Sequence, residues 1–290
     1  MRSLRPFVPT FLWALVLSGF LAVRPASAQP TDAHAPSAPP IERAVTHSGE
    51  APPSTEASHA EALSQIDSLR GAGAFEEAIV RLDSLRALRG DRVDVLWRLV
   101  FARIRVATVE SEGREETGPQ AIRYERALDD ARAALRVDSS SARAHLATAI
   151  AEGRLALSGG TQTRVERARA VRRHVDRALA LDPTLAAAYH VRGRWHRRVS
   201  EVGRLKRALA NVMYGGLPDA SLEQSLTDFQ QAIALDDRAY HHLELAKTYL
   251  KMGRKEPARE ALHTVLIKMN EHPLDPLYKN EARRLLGGLE

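Results

Sequence analysis

One stretch of the sequence, residues 178–258, constrains the fold more than any other. It opens with Ala-Leu-Ala-Leu-Asp-Pro at 178–183, continues with a small residue at Gly193, and closes with Leu-Ala-Lys-Thr-Tyr-Leu-Lys-Met-Gly at 245–253, followed by Ala258. Small residues at such positions let two helices approach closely, whereas Asp-Pro and Gly end one helix before the next begins. The stretch therefore predicts consecutive antiparallel helix pairs.

This order of signals is typical of tetratricopeptide repeats, in which a helix, a tight turn and a second helix form each unit. A second example lies near the start of the domain, where Gly73 permits the turn and Ala78 permits the close approach. Asp-Ser-Ser-Ser at 138–141 stands where the later motif has Asp-Pro, and its polar side chains can cap the following helix. We therefore expect an all-α, tetratricopeptide-like right-handed solenoid of antiparallel helix pairs over residues 60–290.

The sequence predicts two further helices in addition to the repeated pairs. Apolar residues at positions 205, 208, 209, 212 and 213 follow the helical period, and Gly-Gly-Leu-Pro at 215–218 ends that run. They predict an amphipathic helix inserted between the two helices of one repeat. After Pro273 and Pro276, a short helix over 277–289 is expected to cap the apolar face of the last pair.

The first 59 residues contain no repeat signal. Arg2 and Arg5 precede an apolar run at 11–23, and Ala-Ser-Ala at 26–28 is a small-residue cleavage site, which predicts a secretory signal peptide over residues 1–28. The alternative is a retained membrane anchor, although the run is shorter than the ~20 residues that a spanning helix needs. Residues 29–59 are rich in Pro, Ala and Ser and predict a disordered tether. We expect an exported protein, periplasmic or associated with the cell envelope.

Several chemistries are disfavoured by residue types and spacing. The chain has no cysteine, which excludes disulfides, thiolate metal sites and a cysteine nucleophile. His190 and His196 are six positions apart, His241 and His242 are adjacent, and the sequence contains no His-Glu-x-x-His pair, Gly-x-Ser-x-Gly elbow or phosphate-binding loop. We therefore expect no catalytic residues, no metal site and no cofactor.

The charge distribution argues against nucleic acid as a partner. Lys and Arg number 42 against 36 Asp and Glu, a net charge of +6. Arg and Glu alternate along most of the predicted helices, and no dense basic block stands out. The excess positive charge is spread over residues 60–290 instead of forming one patch.

A binding surface can be placed by analogy with tetratricopeptide arrays, where the first helix of each pair lines the concave side. Projecting that face onto this register selects six residues: Arg154, His190, Arg194, Arg197, Lys247 and Lys251. All are basic or potentially basic, and such a groove favours an acidic protein or peptide segment. An ordinary solvated helix face is the alternative.

Three parts of the sequence resemble one family. Gly-Arg-Trp at 193–195, the inserted segment Met-Tyr-Gly-Gly-Leu-Pro-Asp-Ala-Ser-Leu-Glu-Gln at 213–224, and Leu-Ala-Lys-Thr-Tyr-Leu at 245–250 are similar to the regulator of microtubule dynamics family of tetratricopeptide-like proteins. The resemblance covers roughly residues 120–265. It implies a helical-repeat fold, and in eukaryotic members an association with microtubules or the tethering of organelle membranes through an amino-terminal anchor. The signal and the Arg-rich, cysteine-free composition indicate an exported bacterial member.

Three classes of function follow. The first is a non-catalytic, exported interaction scaffold that holds a peptide or protein segment in the concave groove. The second is a membrane-tethered or cytoskeleton-associated role like that of the family, with membrane contact only if the amino-terminal segment is retained. The third is an enzyme or enzyme subunit. The sequence leaves open the identity of the partner, the cellular process and the oligomeric state.

Overall fold

The computed structural model describes residues 55–110 and 120–289, and α-helix is the only regular secondary structure within them. Its helices are α1 Thr55–Gly71, α2 Phe75–Arg89, α3 Val93–Glu110, α4 Gln120–Val137, α5 Ala142–Ser158, α6 Thr161–Leu181, α7 Ala186–Ser200, α8 Arg204–Tyr214, α9 Leu222–Leu235, α10 Ala239–Lys251, α11 Lys255–Ile267 and α12 Asp275–Gly287. The predicted signal and nearly all of the predicted tether lie outside the described residues.

Most helices pack as consecutive pairs. The pairs are α1 with α2, α3 with α4, α5 with α6, α7 with α9, and α10 with α11. The second helix of each pair also packs on the first helix of the next, which joins the pairs into an array. The predicted helical-repeat solenoid is therefore confirmed, and α8 is the predicted insertion between α7 and α9.

The local signals that the sequence provided act as expected at the helix ends. Gly73 has a φ of 83° in the turn between α1 and α2, a conformation that a residue with a side chain rarely adopts. Ser141 Oγ accepts a hydrogen bond from the Ala144 amide at 3.2 Å and caps α5. Ser221 caps α9 in the same way. The pairs thus begin and end where their turn and cap residues stand.

The core between α7 and α9 shows why small residues matter here. A Cβ atom added at Gly193 would lie 3.1 Å from the ring of Phe229, which is itself fully buried. Trp195, two positions further along α7, is buried towards α6 and donates from Nε1 to the Ala168 carbonyl at 2.7 Å. Ala258 on α11 is also fully buried, as its position in the repeat predicts.

Arginine–carboxylate pairs reinforce the packing between helices. Arg98 on α3 binds both oxygens of Asp67 on α1, and Arg192 on α7 binds Asp228 on α9 with a shortest distance of 2.7 Å. Asp228 is almost completely buried, so its charge needs such a partner. Part of the arginine content therefore serves to tie neighbouring helices together.

Two boundaries differ from the expected ones. Helix α1 begins at Thr55, before the expected domain start at residue 60, because His59 is buried with Nε2 2.9 Å from the Asp94 carboxylate on α3. Pro183, which closes the Ala-Leu-Ala-Leu-Asp-Pro signal, is not itself the first residue of the next helix. It lies in a turn in which the Asp182 carboxylate accepts from the Thr184 amide at 2.9 Å, and α7 begins three residues after Pro183.

The inserted helix α8 is oriented differently from the other apolar helices. Leu209, Val212 and Met213 belong to the predicted apolar stripe, yet they are 53%, 84% and 61% exposed. Ala210, on the opposite side of α8, is buried. The stripe therefore faces away from the array. Among the helices described here, none combines the length and the apolar character needed to cross a bilayer.

The C-terminal helix α12 covers the last pair, as the sequence predicts. Tyr278, Leu285 and Leu286 pack against a buried cluster that includes Leu262 and Val265 of α11. This contact removes from water an apolar face that would otherwise be exposed at the end of the array.

Candidate functional site

The first helices of the pairs form the inner layer of the array. Among the described residues, these helices also pack on one another from pair to pair: α3 on α5, α5 on α7, and α7 on α10, with α12 packing on α10. In a curved helical array, the helices that contact one another from pair to pair line the concave side. The groove expected from the sequence is therefore the surface of α3, α5, α7 and α10.

The last helix reaches back to the first two pairs and bounds this inner surface. Arg105 of α3 donates from Nη1 to the Tyr278 hydroxyl of α12 at 3.3 Å, across 173 positions of sequence. The turn at Gly73 lies against Pro273, whose Cβ is 3.1 Å from where a Cβ of residue 73 would stand. The two ends of the array thus contact each other.

Three of the six predicted groove residues converge on one carboxylate that the sequence analysis did not select. Arg197 is buried and donates to the Glu244 carboxylate, to the Glu244 carbonyl at 2.8 Å and to Thr248 Oγ1 at 3.3 Å. Lys247 Nζ lies 3.2 Å from Glu244 Oε1, and Arg194 Nε lies 3.7 Å from Oε2. This arrangement is the charged centre of the inner surface between α7 and α10.

Glu244 remains ionised in this cluster although it is buried. Burial raises the pKa of its carboxyl, but Arg197, Arg194 and Lys247 outweigh burial and hold that pKa well below its usual range. A buried carboxylate is stable only with such partners, because its hydration is lost. Glu244 therefore fixes Arg197 in place and neutralises one of the three cations around it.

Positive charge remains in excess around Arg194. Glu244 raises the pKa of Arg194, but burial and repulsion from Arg154, Arg198 and Arg197 outweigh it and lower the pKa to about 10. Arg194 is still charged at neutral pH. Arg194 thus shares its surroundings with three other arginines, and it shares Glu244 with Arg197 and Lys247. Lys247 also lies 3.7 Å from a carboxylate oxygen of Glu281 on α12.

The other predicted groove residues differ in accessibility. Arg154 is half-buried and donates to Thr108 Oγ1 at 3.4 Å, whereas Lys251 is 54% exposed and lies 3.4 Å from a Glu201 carboxylate oxygen. Arg194 and Lys247 are half-buried. These four side chains therefore present cationic surface on the first helices.

His190 does not contribute a positive charge to the groove. Its ring packs edge-on against Phe229 and Tyr240, and its Nδ1 lies 3.0 Å from Nδ1 of the fully buried His241. Burial and His241 lower the pKa of His190 well below its usual range, so the ring is neutral at neutral pH. His190 is a packing residue between α7 and α10, and Arg197 is likewise buried within the fold.

Sequence reasoning missed Glu244, Arg198 and Thr248. The i, i+3 spacing of Glu244 and Lys247 on α10 was a visible signal for an ion pair. The bond between Arg197 and Glu244 spans 47 positions and has no local signal. Within the described residues, no group of three or more His, Asp or Glu side chains is placed to hold a metal ion.

Comparison with known proteins identifies what the chain is similar to. It is 30% identical to regulator of microtubule dynamics protein 1 of Mus musculus over 235 residues, 79% of this chain and 74% of the relative. It is 28% identical to regulator of microtubule dynamics protein 1 of Caenorhabditis elegans over 215 residues, 72% of this chain and 92% of the relative.

A similar solved structure is that of a thermophilic TPR protein from Thermus thermophilus, with a TM-score of 0.59 at 16% identity, covering 78% of this chain and 98% of that one. At this identity the likeness concerns the fold alone. The profile of regulator of microtubule dynamics protein 1-3 matches residues 62–290, more than the 120–265 expected from motifs. The chain therefore belongs to the regulator of microtubule dynamics family.

Proposed function

We propose that this protein is a non-catalytic interaction scaffold whose inner surface holds an acidic protein or peptide segment. The observation that carries the proposal is the cluster of Arg194, Arg197 and Lys247 around the buried Glu244, together with Arg154 and Arg198, which lower the pKa of Arg194. Charge-assisted hydrogen bonds from such cations to carboxylates are stronger than neutral ones. A helical-repeat fold supplies the extended surface that a segment of chain requires.

The geometry favours a segment with spaced carboxylates. Lys251 lies one helical turn beyond Lys247 on α10, so the two amines follow the same face of that helix. Arg194 lies on α7, which packs directly on α10. A carboxylate of the bound segment near Arg194 would balance positive charge that Glu244 alone does not neutralise.

The test uses a labelled peptide rich in Asp and Glu, together with its counterpart in which Asn and Gln replace them. Arg194→Gln with Lys251→Gln should weaken binding of the acidic peptide at least about tenfold, because two cations of the groove are lost. Both substitutions leave the Arg197–Glu244 pair intact. Binding of the acidic peptide should also weaken as salt is raised.

A matched control removes the same charge from the outer helix α6. Arg173→Gln with Arg177→Gln changes two exposed arginines and should leave affinity unchanged. Equal binding of the acidic and amide peptides, or an equal loss in both double variants, would contradict the groove proposal. Circular dichroism of each variant shows whether the helices remain folded.

We also propose that the protein acts after export, in the periplasm or cell envelope. Support comes from the sequence of residues 1–28, which lie outside the described residues. Cleavage after Ala28 should give a mature chain that begins at Gln29, which intact-mass measurement of the exported protein can check. A mature chain that keeps the apolar run at 11–23 would instead support a membrane anchor.

A second candidate function rests on family membership. The relatives are named as regulators of microtubule dynamics, and the matching profile spans residues 62–290. Co-sedimentation of the purified chain with microtubules tests whether this chain binds them. Co-sedimentation that the Arg194→Gln, Lys251→Gln variant weakens would indicate that the groove itself contacts tubulin.

A further inference from the structure

Helix α8 leaves an apolar face uncovered in the described part of the chain. Leu209, Val212 and Met213 lie on one face of an 11-residue helix and are each more than half exposed. Successive helical residues are ~100° apart, so Ala210, which is buried against the array, lies on the opposite side from Val212. The helix therefore presents three large apolar side chains to its surroundings.

The apolar face is not needed to hold α8 in place. Helix α8 packs on α6 through its other side, and Arg207 donates to the Val199 carbonyl at 3.0 Å. At its C-terminal end, Gly215 and Gly216 have φ values of 71° and 81°, and the Gly216 amide donates to the Ala210 carbonyl at 2.9 Å. These contacts end the helix and fix its orientation.

All the charged residues of α8 are basic. Its sequence, Arg-Leu-Lys-Arg-Ala-Leu-Ala-Asn-Val-Met-Tyr, contains three basic residues and no acidic one. Lys206 is exposed beside the apolar face. The guanidinium of Arg169 on α6 lies at the C-terminal end of α8, 2.8 Å from where a Cβ of residue 215 would stand. An occupant of this surface must therefore combine apolar material with negative charge.

We propose that α8 docks on an anionic phospholipid surface. A helix that combines an exposed apolar face with flanking basic residues lies in the interface of a bilayer, with apolar side chains at the acyl boundary and cations at the headgroups. A second copy of α8 is a poorer occupant because it carries the same positive charge. Three side chains on a helix ~16 Å long also fall short of the ~800 Å² per partner of a stable protein interface.

The absence of cysteine from the chain permits a local test. Val212→Cys in the full chain is labelled with an environment-sensitive fluorophore and mixed with vesicles of phosphatidylcholine, with or without phosphatidylglycerol. We expect a blue shift with phosphatidylglycerol that high salt reduces, and little shift with phosphatidylcholine alone. The label reports on α8 itself, whatever the amino-terminal residues do.

Matched variants separate docking from general adsorption. Leu88→Cys on α2 places the same label at a site as exposed as Val212, 83% against 84%, and should show no shift. Leu209→Gln with Met213→Gln in the Val212→Cys chain should weaken the vesicle response at least about tenfold.

Three results would overturn the proposal. They are no shift at residue 212 with phosphatidylglycerol, an equal shift at residue 88, and an undiminished response in the Leu209→Gln, Met213→Gln chain. A concentration-dependent shift without vesicles, together with a dimer that this variant abolishes, would instead assign the face to a second copy. Acidic-peptide binding by the same variant reports separately on the groove.

Discussion

The consecutive helices α8 and α9 carry apolar stripes of the same helical period but differ in burial. Leu226 and Phe229 of α9 are 8% and 0% exposed, whereas Val212 of α8 is 84% exposed. The difference lies in the facing surface, because Gly193 of α7 leaves room for the Phe229 ring and accepts a hydrogen bond from Ser225 of α9 at 2.8 Å. A stripe thus predicts a helix and its apolar side, and the neighbouring element decides whether that side is covered.

Removing the ring at the centre of the buried stripe should have the largest effect. Phe229→Ala should lower the free energy of unfolding by about 3–5 kcal/mol, because it loses the burial of the ring and leaves a cavity beside Gly193. Urea denaturation followed by circular dichroism measures the change.

Leu235→Ala on the same helix is the matched control. Leu235 is an apolar residue at the C-terminal end of α9 and is 38% exposed, so the loss should be much smaller. Equal losses at Phe229 and Leu235 would show that the facing surface of α7 does not control burial on α9.

Acid should destabilise the folded protein through His196, which is buried on α7. Burial, followed by Arg172 and Arg192, lowers the pKa of His196 to about 4, and Arg172 donates to its Nε2 at 3.0 Å. The unfolded chain then binds a proton before the folded chain does. The contribution of His196 to stability should therefore be fully present above about pH 6.5 and be lost between about pH 6.5 and 4, an amount on the order of 3 kcal/mol.

His196→Gln tests the assignment by removing this titration. The pH dependence of the urea midpoint should become shallower in the variant, although His174, His241 and His272, whose pKa values are also lowered to about 4, keep part of it. An unchanged slope between about pH 6.5 and 4.5 would mean that His196 does not remain neutral in the folded protein.

Much of the fold could be predicted because its signals are local. The turn at Gly73, the caps at Ser141 and Ser221 and the terminal helix each depend on a few consecutive residues. The start of α1 was placed too late because the His59–Asp94 contact joins residues 35 positions apart. Contacts of that kind arise from packing and have no short-range pattern.

The candidate site was less accessible to sequence reasoning for the same reason. The helical register placed Arg194, Arg197 and Lys247 on the first helices, but it could not show that Glu244 stands among them or that Arg197 is buried. Nor could it show that Arg105 reaches Tyr278, since the two lie at opposite ends of the array. Register predicts which face a residue occupies, and burial and pairing depend on the neighbours.

A smaller change tests the close approach between α7 and α9. Gly193→Ala gains roughly 1 kcal/mol of helix propensity, but its Cβ would lie 3.1–3.2 Å from three atoms of the Phe229 ring. Overpacking of this kind costs about 1–3 kcal/mol, so we expect a net destabilisation of about 1 kcal/mol in urea denaturation. The second substitution Phe229→Leu should reduce the cost of Gly193→Ala, and purely additive effects in the double variant would contradict direct contact.

The smallest effect on folding is expected on the exposed stripe of α8. Leu209→Gln, Val212→Gln and Met213→Gln together keep a good helix former at each position and replace side chains that are each more than half exposed, so the free energy of unfolding should change by no more than about 0.5 kcal/mol per site. The same urea denaturation measures it alongside Phe229→Ala. A loss of several kcal/mol would show that another part of the chain covers this face, and the contrast with α9 would then disappear. A negligible loss, combined with loss of the vesicle response at α8, would separate the two stripes by role: that of α9 stabilises the fold, and that of α8 contacts something outside it.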